Sequence, residues 1–334
     1  MICYRKITTF SREHVLIFIC LLFLLLSGVS ECYSAEGGVR PISMGGAFVA
    51  LSDDVHSASW NPAGLGWQQE KEITYSGIIV NRDDYISADF ISDDYAAYAQ
   101  PISSLYEENK DKYGGIGLYF HNSGYEDTNT AVKTSLWHSG IAYGRKFSKD
   151  NAMSWGVALN YYYFDTDIPG VSDSDTAISV NLGFLWYVND VLSFGLLWEN
   201  LNEPTYTLFG VNSRLIRVMR PGIAYFLSEK TVLTCDIYDL TGNTSDHGAD
   251  FSRNVRIGFE HYLTKSFSFR LGAHQPNSKV DSSKFYSTGF GWQRSDFLNI
   301  YPIQYYLDYT FIYWQDAPAG VEDYLHQLGI TLKF

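Results

Sequence analysis

The chain has 334 residues, of which 46% are hydrophobic and 16% aromatic, with 28 glycines and a formal net charge of −13. An acidic balance of this size excludes nucleic acid as a partner, because that surface needs clustered lysine and arginine. The length allows two average domains, but all-β barrels of this size are commonly one.

The chain opens as an export leader. Arg5, Lys6 and Arg12 give a positive start, and Val15 to Leu26 is an unbroken apolar run. That run is shorter than the roughly 20 residues a spanning helix needs. Small residues near Ser34 offer a cleavage site, so residues 1–34 read as a cleaved signal peptide. A retained N-terminal anchor is the alternative. Glu31 stands where lipid attachment at Cys32 requires a small residue. Cleavage removes Cys3, Cys20 and Cys32 and leaves Cys235, so an exported protein is expected to hold together without an internal disulfide.

Residues 35–69 differ from everything after them. The stretch "SMGGAFVALSDDVHSASWNPAGLG" (43–66) has the glycines Gly45 and Gly46, a short apolar run, the pair Asp53-Asp54, and a turn through Asn61, Pro62, Ala63 and Gly64. Glycines permit tight backbone in a crowded space and proline fixes a turn. A floppy tail would be charged and polar, so the stretch reads as a folded plug, or hatch, at the mouth of the β-rich remainder. Asp53 and Asp54 would pair with lumenal arginines, or else form a solvated turn. His56 reads as a polar residue of the plug.

From residue 70 the pattern has period two. In 177–188, Ile178, Val180, Leu182, Phe184, Trp186 and Val188 share one face, while Ser179, Asn181, Gly183 and Tyr187 share the other with Leu185 as an apolar exception. Residues 153–163 and 266–273 alternate in the same way. Strict alternation means a sheet with different surroundings on its two faces. The apolar faces are large and aromatic, as in the girdles of membrane barrels. The other faces are small and glycine-rich with isolated charges: Arg220, Asp236, Arg256, Glu260, Arg270 and Asp308. A soluble sandwich would fill that face with lysine and glutamate; this one suits a crowded lumen.

Strands are expected near 72–80, 90–100, 114–122, 135–146, 152–164, 176–188, 191–200, 215–227, 231–240, 252–263, 265–275, 284–294, 301–314 and 323–334, which makes fourteen. Each is close to the 9–11 residues a tilted crossing needs. Tight turns at 189–190, 228–230 and 263–266 alternate with longer connections at 165–175, 201–214, 241–251, 276–283 and 315–322. Short periplasmic turns and long outer loops give that rhythm. The link 101–113 breaks it and has room for a helical turn. The expectation is an all-β transmembrane antiparallel barrel (70–334) plugged by the N-terminal hatch, with residues 72–80 pairing with 323–334 to close it. The chain ends with Gln327, Gly329, Leu332 and Phe334 in an alternating run, a pattern resembling the signal read by the barrel-assembly machinery.

Asp165, Asp167, Asp173 and Asp175 resemble part of a calcium loop but lack its full spacing. No catalytic motif is present; His121, His138, His261, His274 and His326 are candidates only by residue type. The chain is read as no enzyme, with no metal site and no cofactor.

The N-terminal motif, Gly-Gly-Ala followed by an acidic pair and then Asn-Pro-Ala-Gly-Leu, resembles the hatch of the FadL-type outer-membrane transport proteins. The phrases "LSFGLLWENLNEP" (192–204), "RPGIAYFL" (220–227) and "RIGFEHYLTKSFSFRLGA" (256–273) are similar to the PorV/PorQ branch of that superfamily. The resemblance implies a fourteen-stranded barrel in the outer membrane, with lipid around it and Asn61, Pro62 and Ala63 on the hatch turn. It implies passive uptake of hydrophobic or amphipathic small molecules. The alternative is a PorV-like component of type IX secretion, whose partners are secreted proteins.

Overall fold

The computed structural model describes residues 37–81, 90–102, 113–127, 132–147, 152–241, 254–275, 284–295, 303–316 and 321–334. The leader, residues 103–112 of the 101–113 link, residues 242–251 of the 241–251 connection and the whole 276–283 connection lie outside them. Two short helices, α1 (Val39–Ser43) and α2 (Ser57–Trp60), and a 3-10 helix (Pro62–Trp67) precede the strands. The strands then run as β1 (Glu72–Asn81), β2 (Phe90–Pro101), β3 (Gly115–Asp127), β4 (Val132–Lys146), β5 (Met153–Ile168), β6 (Val171–Asn189) and β7 (Leu192–Glu199). After a small ribbon, β8 (Thr205–Leu208) and β9 (Val211–Arg214), come β10 (Val218–Ser228), β11 (Thr231–Tyr238), β12 (Asn254–Tyr262) and β13 (Phe267–Gln275). The last three are β14 (Lys284–Ser295), β15 (Gln304–Asp316) and β16 (Val321–Lys333).

All strands except the ribbon close into one antiparallel barrel of fourteen, each next to its neighbour in sequence, with β1 sealed on β16 from Glu72↔Lys333 to Asn81↔Leu325. Lys71 and Phe334 exchange two backbone hydrogen bonds, 3.1 and 2.9 Å, at the seam. Closure joins the first strand to the last, and pairing of backbone groups is what lets a sheet span a membrane. No described helix is long and apolar enough to cross one.

Alternation sets the two faces. Trp155, Leu159, Leu182, Phe194, Leu271 and Ile330 stand on the exposed outer face, whereas Ser154, Asn160 and Ser179 are completely buried on the inner one. Leu185, the apolar exception in its strand, is also buried on the inner face.

Two connections differ from expectation. The 165–175 stretch is strand, not loop: β5 and β6 run on as a paired hairpin to Ile168↔Val171, turning at Gly170 with φ +87°. Its aspartates and serines look like solvated loop, but a solvated hairpin is free to be polar on both faces. The 201–214 connection holds the β8–β9 ribbon.

Residues 37–68 lie inside the barrel and are almost wholly buried. Met44, Phe48, Ala50, Leu51 and Trp60 form an apolar core with Ala224 and Val232 of the wall. A second cluster joins Val55, Ala58 and Leu65 to Tyr95, Ala97 and Tyr119.

Candidate functional site

The inner segment turns tightly because its sequence permits it. Gly45 and Gly46 adopt φ +65° and +72°, a left-handed region favourable only to glycine. Pro62 starts the 3-10 helix, where its missing N–H costs nothing. Asn61 caps that helix: its Oδ1 accepts from Ala63 N–H at 3.1 Å. Its Nδ2 donates to Val49 O (2.8 Å) and to Phe184 O of β6 (3.1 Å). One buried amide thus ties two turns of the segment to the wall.

The wall receives the segment on glycines. Gly144, Gly156 and Gly183 stand in register on β4, β5 and β6, Gly195 faces Gly222 on β7 and β10, and Gly258 faces Gly272 on β12 and β13. A Cβ on Gly144 or Gly156 would strike Pro62, on Gly183 Asn61, on Gly195 Val49, and on Gly258 or Gly272 Met44 or Gly45. The same crowding holds inside the segment, where a Cβ on Gly64 would strike Ser52 O. Around this arc, segment and wall touch backbone to backbone.

The charges complete the seat. Asp53 and Asp54 bind not the wall arginines Arg220, Arg256 or Arg270 but Arg40 of the same segment, at 2.6 and 2.7 Å; Asp54 is buried and Asp53 stays exposed. Arg40 is the one lysine or arginine between residues 37 and 70, and that isolation is the signal by which the sequence marks it. Its guanidinium also holds Glu260 of β12 at 2.7 Å, Glu260 holds Arg270 at 2.6 Å, and Arg270 holds Asp308 at 2.5 Å. His56 Nδ1 lies 2.9 Å from Asp54 Oδ1. Burial would raise the Asp54 carboxyl, but His56 and then Arg40 overcome it and hold the group well below the usual carboxylate range. Across the lumen, Asp236 Oδ2 accepts Val49 N–H at 2.9 Å. Arg220 pairs with Glu199 at 3.2 Å and lies over Trp60 and Tyr238, and Arg256 lies over Tyr238. Glu72 accepts from Val55 N–H and Gln68 and pairs with Lys333 of the closing strand.

The hydrogen-bonded ladder between β1 and β2 is incomplete, and we call its unpaired stretch the parting. Their pairing runs from Glu72↔Ala99 to Ser76↔Tyr95 and stops. Beyond it, Gly77–Asn81 pairs only with β16, and Phe90–Asp94 pairs only with β3. An irregularity between Ile78 and Val80 leaves Ile79 as an extra residue against β16, and such a bulge bends its strand. On the lumenal flank, Asp93 bonds His121 Nε2 at 2.5 Å and Gln327 Nε2 at 2.6 Å. Next to it the buried Tyr95 ring stacks on His56 of the inner segment, 5.6 Å between centroids. On the outer flank, Asp94 accepts the Tyr75 hydroxyl at 2.8 Å beside Gly77. Directly beneath lies a shallow apolar groove of about 490 Å³ lined by Ile73, Tyr75, Ala96, Tyr98, Leu118 and Phe120 among others. Sequence reasoning found neither the parting nor Asp93 and Asp94.

At the distal end, the ribbon docks on the long β6 edge through aspartates. Asp173 accepts Ser174 N–H and Phe209 N–H, and Asp175 accepts Thr176 N–H and Thr207 N–H. These carboxylates bridge backbone donors, and among the described residues no group of acidic, histidine or cysteine side chains is placed to hold a metal ion. Tyr206 of the ribbon stacks on Phe164, 3.9 Å between centroids. In the closing strand, Gln327 is buried inward, while Leu332 and Phe334 lie on the outer face. Gly329 packs on Val39 of α1.

No protein-family model matches the sequence, and no curated protein matches it. Solved structures do. The chain resembles the CymD monoaromatic hydrocarbon channel with a TM-score of 0.64 at 11% identity, covering 90% of this chain and 98% of that one. The Ralstonia pickettii toluene transporter TbuX gives 0.59 at 11%, covering 90% and 99%. A Pseudomonas aeruginosa FadL homologue gives 0.56 at 11%, covering 92% and 98%. At such identities the likeness establishes the fold alone: a closed antiparallel barrel of the FadL shape.

Proposed function

We propose that the chain is a FadL-type outer-membrane channel through which hydrophobic or amphipathic small molecules pass down their gradient. Residues 37–68 act as its hatch, and export through the cleaved leader delivers it to the outer membrane. The observation that carries this reading is the parting of β1 from β2 beside the hatch. A barrel that serves only as a platform has no use for five residues of unpaired strand on each side of one seam, because unpaired backbone in lipid costs several kcal/mol per group. The unpaired stretch adjoins Tyr95, which stacks on His56 at the lumenal side, and an apolar groove lies next to it on the outer face. The fold neighbours named as hydrocarbon channels and transporters support the same reading; none supports the PorV/PorQ branch. No covalent step and no cofactor enter it.

A staple across the seam tests it. A Cβ on Gly77 would lie 2.8 Å from Asp94 Oδ1, so Gly77→Cys with Asp94→Cys places two thiols within disulfide reach. Oxidation is expected to stop transfer of a hydrophobic probe such as naphthalene into outer-membrane vesicles, and reduction to restore it. Equal transfer in both states would sink the lateral route. No transfer in either state, with exported proteins co-purifying, would return the chain to secretion docking.

A further inference from the structure

We infer that the β1–β2 seam selects by charge: Asp93 and Asp94 exclude carboxylate-bearing amphiphiles, and the molecules admitted are hydrophobic compounds without a negative group. The inference rests on the transport reading and specifies its substrate.

The two carboxylates stand on consecutive residues at the base of the parting, so alternation aims one at the lumen and the other at the membrane. A molecule crossing the seam passes both. Their partners are His121 and Gln327 on the lumenal side and Tyr75 on the membrane side. Among the described residues no lysine or arginine pairs with either. The nearby hatch offers little compensation: Arg40 is taken up by Asp53, Asp54 and Glu260, and His56 by Asp54.

Asp94 is the sharper case. A carboxylate on the lipid-facing side of a barrel strand is costly and marks function by default. Among the described residues the partner of Asp94 is the neutral hydroxyl of Tyr75. The groove below Asp94 is mostly apolar, with Ile73, Ala96, Leu118 and Phe120 in its lining. A low-dielectric passage with a fixed negative charge repels an anion strongly and leaves a neutral apolar body unaffected. The chain's fatty or aromatic cargo must then carry its polarity, if any, as hydroxyl, amide or amine.

The test uses two probes that differ only at the polar end, pyrenebutanol and pyrenebutyrate. Their transfer is followed by fluorescence into outer-membrane vesicles carrying the full-length protein. The alcohol is expected to enter at least about tenfold faster than the acid. Asp94→Asn and Asp93→Asn each keep the side chain's size and an acceptor oxygen. Both should shrink the ratio mainly by raising the rate of the acid. Because the ratio is taken within one preparation, the amount of folded barrel cancels. Equal rates in the wild type, or asparagine variants that slow both probes alike, would overturn charge selection while leaving transport standing. If neither probe enters faster than into vesicles without the protein, the transport reading falls and this inference with it.

Discussion

Asn61 and Gly183 meet so closely that a Cβ on the glycine would overlap the Oδ1 of the asparagine. That oxygen is already engaged as the cap of the 3-10 helix, and the amide on its other side ties β6 to the inner segment. The contact therefore fixes where the segment sits. Gly183→Val is expected to leave the barrel closed but expel the Asn61 turn. Overpacking of this kind costs about 1–3 kcal/mol. Limited proteolysis of the purified protein reads it directly: cleavage within 43–66 should appear in the variant and be absent from the wild type. A variant as resistant as the wild type would mean that the seat tolerates an extra side chain.

The ionic side of the seat depends on pH with a definite sign. Asp54 ionises in the folded protein at a lower pH than in an unfolded chain, because His56 and Arg40 outweigh its burial. Its contribution is complete above the ordinary carboxylate range, near about pH 4, and is lost as pH falls through the lower folded value. Asp54→Asn should cost about 1–3 kcal/mol at neutral pH, the range for a lost charge-assisted hydrogen bond. Thermal unfolding of the two proteins should converge only in acid well below that range. Convergence between pH 5 and 7 would place the effect on another group.

How much of the fold and the site is legible in the sequence depends on the range of the cause. The strand faces are readable because alternation is local: Leu159 and Asn160 are neighbours in sequence and opposite in burial. The glycines of the wall are visible as residue type, but their common purpose is not, since Gly156 and Gly183 come together only through register. The role of Arg40 is hidden because its three carboxylates include Glu260, 220 residues away. The parting at β1–β2 has no local signature at all. It arises from a bulge at Ile79 against β16 and from what β2 does not pair with. The aspartates near residue 170 mislead in the opposite direction, having a familiar local look and a purpose set by the ribbon.

That purpose can be checked. Asp173 and Asp175 each join a β6 amide to a ribbon amide, so Asp173→Ala with Asp175→Ala should undock β8–β9 and break the Tyr206–Phe164 stack. Hydrogen exchange at the amides of Thr207 and Phe209 should accelerate in the variant and be unchanged in wild type on adding calcium. Protection that rises with calcium would restore a metal role for these carboxylates.

Phe334 joins two consequences that separate experimentally. Its backbone completes the β1–β16 seam through both hydrogen bonds with Lys71, while its ring stands 52% exposed on the outer face. The seam bonds are main-chain and aspartate keeps both, so Phe334→Asp should still refold from urea into detergent. The ring is what the barrel-assembly machinery would read in the alternating run that ends Gly329, Leu332 and Phe334. Outer-membrane yield in cells should therefore fall steeply for the same variant. A charge at the membrane interface costs only about 0–1 kcal/mol, too little to explain such a loss through stability alone. Normal yield in cells would remove the terminal phenylalanine from the recognition signal, and failure to refold in detergent would make its ring part of the seam.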